Sequence, residues 1–210
     1  MNAITIIDHG CSNILNLVRA INFLGHETKV TRQEKVIMNS THVILPGVGA
    51  FSNAMLQLKK YNLDNIIIEY AKLNKPMLGI CLGMQILLTS SEEFGTHKGL
   101  GIIAGKVNKI SNKKNKNIKI PHVGWNEIYP TKNKEWNSKI LNKKLIGKNF
   151  YFVHSFVAST KNTDATIASC EYSEISIPAV IEQKNIFGCQ FHPEKSGENG
   201  LNVLQNFCSI

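Results

Sequence analysis

What this chain lacks narrows it first. No apolar run approaches the ~20 residues that a membrane-spanning helix needs, and no membrane partner is expected. The start, Met1-Asn2-Ala3-Ile4-Thr5-Ile6-Ile7-Asp8, has no basic segment ahead of its short apolar stretch. It reads as a first strand, and a cytoplasmic location is expected. Five cysteines (Cys11, Cys81, Cys170, Cys189 and Cys208) lie scattered without CxxC spacing. An odd, dispersed set argues against a disulfide framework and against zinc, so neither metal nor cofactor is expected. The net charge of +9, from 24 Lys+Arg against 15 Asp+Glu, could suggest nucleic acid. Many of the lysines, however, sit among asparagines in 106–119 and 132–148, as in Lys113-Lys114-Asn115-Lys116-Asn117, and no aromatic interleaves with the first run to stack bases. These stretches read as exposed loops, with a basic rim meeting a partner protein as the second reading. No nucleic acid is expected.

What is present suits a globular α/β chain. With 43% hydrophobic and 19% charged residues, 210 residues fit one domain spanning 1–210. Ile4–Ile7 is a β-branched run of the kind buried in parallel sheets. Ser12 or Asn13 can cap a helix through Leu24, with Ile14, Leu17, Val18, Ile21 and Leu24 at helical spacing and Gly25 placed to end it. Strands follow at Thr28–Thr31, His42–Leu45 and Met77–Ile80, with helices near 50–60 and 63–73. This alternation predicts a mainly parallel central sheet flanked by helices. From Ile102 the pattern becomes consecutive short strands at 102–109, 125–129, 151–157, 166–172, 178–183 and 186–191, then a helix over 197–207. These predict an antiparallel extension of the same sheet.

The most informative stretch is Gly79-Ile80-Cys81-Leu82-Gly83-Met84-Gln85. A buried strand ends there and a helix over 84–88 begins at once, the form of a nucleophile elbow with sulfur in place of a serine oxygen. A side chain at Gly79 or Gly83 would collide with neighbouring backbone. The turn would leave Cys81 exposed at the carboxyl end of the sheet, near a helix start that favours thiolate. A buried structural cysteine between two packing glycines is the alternative, and a second site decides between them. Phe191-His192-Pro193-Glu194 supplies it, because residues two apart in an extended chain face one side. His192 can move the thiol proton while Glu194 fixes its tautomer. Glycines in Leu45-Pro46-Gly47-Val48-Gly49-Ala50, again at a strand end, let backbone N–H groups turn toward an oxyanion.

Taken together, these motifs resemble the class I (triad) glutamine amidotransferases. Pro121-His122-Val123-Gly124-Trp125-Asn126, Tyr151-Phe152-Val153-His154-Ser155-Phe156 and Gln190 through Ser196 resemble more narrowly the glutaminase subunits of imidazole glycerol phosphate synthase. So do Asp8-x-Gly10-x-x-Asn13 and Leu45 through Phe51. Departures are His9, where that family usually has tyrosine, and Ser12, where it has glycine. The resemblance implies a Cys81–His192–Glu194 triad and an oxyanion held near Val48, Gly49 and Leu82. It also implies glutamine contacts from Gln85, Glu93, Ser155 and Phe156. The implied partner is a (β/α)8-barrel cyclase that receives ammonia, met by Pro121, His122, Gly124, Trp125, Asn126 and Lys195. A packed strand with Trp125 in the core is the other reading of that segment. An amidotransferase feeding surface-sugar amination, a cysteine peptidase-like hydrolase and an inactive regulatory subunit stay as rivals.

Overall fold

The computed structural model describes residues 3–10, 12–111, 118–131, 135–136 and 138–210. Cys11, the 113–117 lysine run and part of the 132–148 loop expectation lie outside the described residues. Apart from α2, the first half alternates as the periodicity predicts: β1 (Ile4–Ile7), α1 (Ile14–Phe23), β2 (Thr28–Thr31), α2 (Glu34–Asn39), β3 (Val43–Gly47), α3 (Phe51–Lys60), α4 (Leu63–Lys72) and β4 (Met77–Cys81). Then come α5 (Leu82–Ile86), β5 (Leu88–Ser91), β6 (His97–Lys98), β7 (Ile103–Lys109), β8 (His122–Pro130), β9 (Lys148–His154) and β10 (Phe156–Thr160). The chain finishes with β11 (Thr166–Tyr172), β12 (Ile175–Gln183), β13 (Ile186–Cys189) and α6 (Gly197–Cys208). None of the helices is long and apolar enough to cross a membrane among the described residues.

A nine-stranded sheet runs β2-β1-β3-β4-β13-β12-β11-β8-β9. The first five strands are parallel neighbours, and from β13 onward each pairing is antiparallel. Successive side chains in β1 and β3 alternate between two cores, as strand geometry requires. Ile4, Ile6 and Ile44 join Leu17, Ile21 and Phe207 on one face, while Ile7, Val43 and Leu45 join Phe51, Leu58 and Tyr70 on the other. Helix α1 ends as expected, at Gly25 with φ +83°, a conformation that costs other residues ~1 kcal/mol.

The antiparallel extension needs one correction. Only β12, β11, β8 and β9 extend the main sheet; β10 and β7 pair instead with β5 and β6 in a separate four-stranded sheet. The expected 151–157 strand is therefore two strands, broken at Ser155 where the chain passes from one sheet to the other. Period-two hydrophobicity runs through that break, so pattern alone could not place it. Helix α2 and the short β5 and β6 carry too little periodicity to be seen in the sequence.

Candidate active site

Strand register builds the site. Gly47 pairs with Cys81 across β3 and β4, and Cys189 pairs with Ile80 across β13 and β4. The Pro46–Gly49 turn and the residues after β13 thus flank Cys81 at the carboxyl edge of the sheet, where open α/β sheets place their ligand sites. Cys81 turns the chain with φ 55° and ψ −111°, and helix α5 starts at the next residue, two earlier than the sequence suggests. A non-glycine residue held at such a φ stores roughly 1–3 kcal/mol of strain, which surrounding structure must hold in place. The glycines explain how. A Cβ on Gly83 would lie 1.8 Å from the Leu45 carbonyl oxygen, and one on Gly79 would lie 2.7 Å from the Gly83 oxygen. The predicted collisions are real on both sides of the elbow. The sequence expectation of an exposed sulfur is corrected: Cys81 is only 7% accessible, because β3, β9 and the loop after β13 close over the turn.

The segment carrying His192 is tied down from several sides. Its N–H donates to the Tyr151 carbonyl (3.0 Å), its own carbonyl accepts from Ser196 Oγ (2.7 Å), and Tyr151 N–H donates to that same hydroxyl (3.0 Å). His192 Nδ1 donates to Glu194 Oε1 at 2.8 Å with both side chains buried. Nε2 is thereby left to face Cys81, with no hydrogen bond of good geometry on it. Burial by itself would lower the His192 pKa. The Cys81 sulfur and the Glu194 carboxylate outweigh it and raise the imidazolium above its ordinary range. A cation flanked by two groups that can carry negative charge is the arrangement a cysteine nucleophile uses to hold its proton nearby.

A cavity of about 400 Å³ opens above the sulfur. Val48, Gly49 and Leu82 line it together with Cys81 and His192, so the three expected oxyanion residues share one cavity with the reacting atom. Gly49 takes φ +96°, open to glycine without strain. Gln85, Glu93, Ser155 and Phe156, the expected glutamine contacts, line the same cavity. Glu93 also accepts the Phe51 N–H at 2.6 Å, capping α3 where the helix dipole favours an anion. His9, the departure from the expected tyrosine, is fully buried and donates through Nε2 to the Pro46 carbonyl at 2.6 Å, fixing the turn beside Cys81. Burial lowers its pKa, so it does this as a neutral ring.

The expected partner-facing residues divide. Trp125 is 55% exposed and packs edge-on against Tyr151 (5.9 Å), which excludes the core reading of its indole. Val123 and Tyr129 share that face, Lys195 Nζ lies 5.9 Å from the centre of the Tyr151 ring, and Gly124 sits between with φ +152°. Pro121 lines the cavity above Cys81 instead. The His122 assignment is corrected: its ring is wholly buried on the opposite face of β8, bonded to His154 and to Asn126, and cannot meet a partner directly.

Sequence reasoning also missed Gln190. It is fully buried beside the sulfur, with Nε2 3.8 Å from Cys81 Sγ and Oε1 accepting from Gln85 Nε2 at 2.9 Å. A glutamine at the end of an otherwise apolar buried strand was the available signal, since buried polar groups keep partners.

Residues 5–210 match the family model of the class-I glutamine amidotransferases. The chain belongs to that family. Among curated relatives, it is 41% identical to "Imidazole glycerol phosphate synthase subunit HisH 1" of Legionella pneumophila strain Lens, over 100% of both chains. It is 45% identical to subunit HisH of Bacillus cytotoxicus, covering 99% of this chain and 94% of that protein. Among solved structures, a chain of PurLQS from Thermotoga maritima superposes with a TM-score of 0.68 at 19% identity, covering 100% and 99%. A structure described as a glutamine amidotransferase reaches 0.71 at 14% identity, covering 99% and 100%. These two likenesses establish the fold.

Proposed function

We propose that this chain is the glutaminase subunit of a cytoplasmic imidazole glycerol phosphate synthase, its 210 residues acting as one glutamine amidotransferase domain. The observation that carries the chemistry is the convergence of an elbow sulfur, the 2.8 Å His192–Glu194 pair and the glycine turn on one cavity. In this reading the Cys81 sulfur bonds to the side-chain amide carbon of glutamine. The carbonyl electron pair moves to oxygen, where backbone N–H groups near Val48, Gly49 and Leu82 stabilise the charge. His192 gives its proton to the amide nitrogen, the C–N bond breaks and ammonia leaves. Water then attacks the thioester, giving a proton back through His192, and glutamate departs as the sulfur is restored. Glu194 holds the ring in the tautomer both steps need. Gln85, Glu93, Ser155 and Phe156 bind the amino-acid end.

The acceptor reading rests on the full-length relatives, which carry the HisH name. Ammonia released into water is protonated at neutral pH and lost as a nucleophile, so a docked acceptor is required. The exposed Val123–Trp125–Tyr129 face with Tyr151 and Lys195 is where a (β/α)8 cyclase would sit. The test is glutamate release by the purified chain, alone and with that cyclase and its nucleotide substrate. Stimulation by the pair is expected, and Cys81→Ser should lower the rate by on the order of 10³-fold or more with an unchanged melting temperature. Activity that ignores the cyclase yet needs Cys81 would move the acceptor to another synthase, such as one aminating surface sugars. Glutamate production by the serine variant at the normal rate would overturn the chemistry itself.

A further inference from the structure

A row of buried hydrogen bonds lies between the partner-facing strand and the sulfur, and the reaction as written does not use it. His122 Nε2 lies 2.7 Å from Asn126 Oδ1, His122 Nδ1 lies 3.0 Å from His154 Nε2, and His154 Nδ1 lies 2.9 Å from the Phe156 carbonyl oxygen. That oxygen also accepts from Gln85 Nε2 at 2.9 Å. The same amide nitrogen donates to Gln190 Oε1, and Gln190 Nε2 points at Cys81 Sγ. The row is thus continuous from β8 to the nucleophile. Stacking holds it in place, with the His122 ring between Phe152 (5.1 Å) and Tyr172 (4.0 Å), and Tyr172 in turn donating to the Lys119 carbonyl at 2.7 Å.

We propose that Asn126, His122 and His154 are positioning residues that couple strand β8 to the glutamine pocket and to Cys81, through hydrogen bonds that donate inward as far as the Phe156 carbonyl, which the Gln85 amide meets from the other side. The proposal rests on the glutaminase reading above.

Proton counting gives the direction. A carbonyl only accepts, so His154 Nδ1 carries its proton and, in a neutral ring, Nε2 is an acceptor. His122 Nδ1 must therefore donate, which makes His122 Nε2 an acceptor too. Its neighbour on Asn126 then has to be the amide NH2. A half-turn of the Asn126 amide supplies it, since the two ends of that group have the same shape. That half-turn gives up the 3.0 Å bond from Asn126 Nδ2 to the Glu171 carbonyl, at the half-exposed end of the row. The other solution is a third proton, making one ring cationic. Burial opposes this in both: it holds the His122 pKa below its ordinary value and the His154 pKa down at about 3. From Asn126 to the Phe156 carbonyl the row is consequently one-way. Reversing the Asn126 amide forces His122 into its other tautomer and strips His154 of its donor. A contact at the partner surface is in this way passed to the Phe156 carbonyl and to the amides that hold the sulfur.

His122→Phe tests the coupling, because it keeps a ring between Phe152 and Tyr172, removes both nitrogens and alters no exposed surface. In the complex with the cyclase and its nucleotide substrate, kcat for glutamate release should fall about tenfold while KM for glutamine changes less than about threefold, the mark of lost orientation rather than lost binding. His122→Asn, whose amide nitrogen can stand where Nδ1 stood, should restore most of the rate. Nitrogen-15 spectra of the unaltered chain should show both rings as Nδ1–H tautomers. A His122→Phe rate within twofold of the unaltered complex, a loss that His122→Asn leaves unrepaired, or an Nε2–H tautomer on either ring would each overturn the proposal. An unaltered complex that releases no glutamate would instead sink the glutaminase reading. The spectra would still report the proton positions in that case.

Discussion

The two halves of the main sheet follow opposite rules. In the parallel half, β1, β3, β4 and β13 bury every residue. In the antiparallel half, β8 buries His122 and Ile128 while Val123, Trp125 and Tyr129 stand exposed. A strand covered on both faces cannot offer a surface, but it can enforce close backbone approaches and a strained turn. A strand covered on one face can offer a surface, and its inner face can report what happens there. The elbow belongs to the first kind and the docking strand to the second. Ser155, between β9 and β10, is where the second meets the pocket.

The division can be broken or sharpened by substitution. Glu194→Gln keeps the shape of the pair but removes the charge that orients His192, and kcat for glutamate release should drop by roughly 10³-fold. A drop under tenfold would show that His192 is oriented by packing alone. Gly83→Ala should destabilise the chain by about 3 kcal/mol or more, since its Cβ would meet the Leu45 oxygen at 1.8 Å. Gly124→Ala in the open half, where a Cβ meets nothing within 4 Å, should cost only about 1 kcal/mol through its φ of +152°. Equal unfolding midpoints for the two variants would erase the contrast. Trp125→Ala should weaken cyclase binding by about 2 kcal/mol, near 30-fold in Kd, and leave the rate of the isolated chain unaltered. Titration calorimetry against the cyclase would reveal whether that face is used at all.

A separate effect is expected on acid stability. His154 is held neutral by burial, with its pKa lowered to about 3, while in the unfolded chain it titrates near 6.5. Its contribution is therefore complete above about pH 6.5 and is lost as pH falls toward 3, by up to ~1.4 kcal/mol per pH unit. His122, His9 and His42 shift in the same direction for the same first reason, burial. His192 runs the other way: its raised pKa stabilises below about 6.5 and that stabilisation fades as pH rises through the folded value. Urea midpoints at pH 5 and 7.5 should show a net loss at the acid end. An unchanged midpoint would mean the buried histidines are not neutral in the folded chain.

These differences also explain what the sequence disclosed. The elbow was legible because Gly79, Cys81 and Gly83 are required by local geometry. His192 and Glu194 do pair, but across a 3-10 turn at Pro193–Lys195 and not along the extended chain that their spacing suggested. The family motifs led to Gln85, Glu93, Ser155 and Phe156, which do meet in one cavity. The split at Ser155 was hidden because both sheets demand the same alternation. Gln190 and the inward-facing His122 were hidden because their roles depend on partners 32 to 109 residues away. No local pattern encodes such a meeting.

The backbone at Cys81 has a consequence for how this chain can vary. Glycine is the residue most at ease at φ 55°, so the elbow itself would be more relaxed with no sulfur in it. Drift toward the more restful backbone therefore leads straight to loss of the nucleophile, and only the need for its chemistry holds the cysteine in place. A stabilising screen run without an activity readout would be expected to discard this residue early.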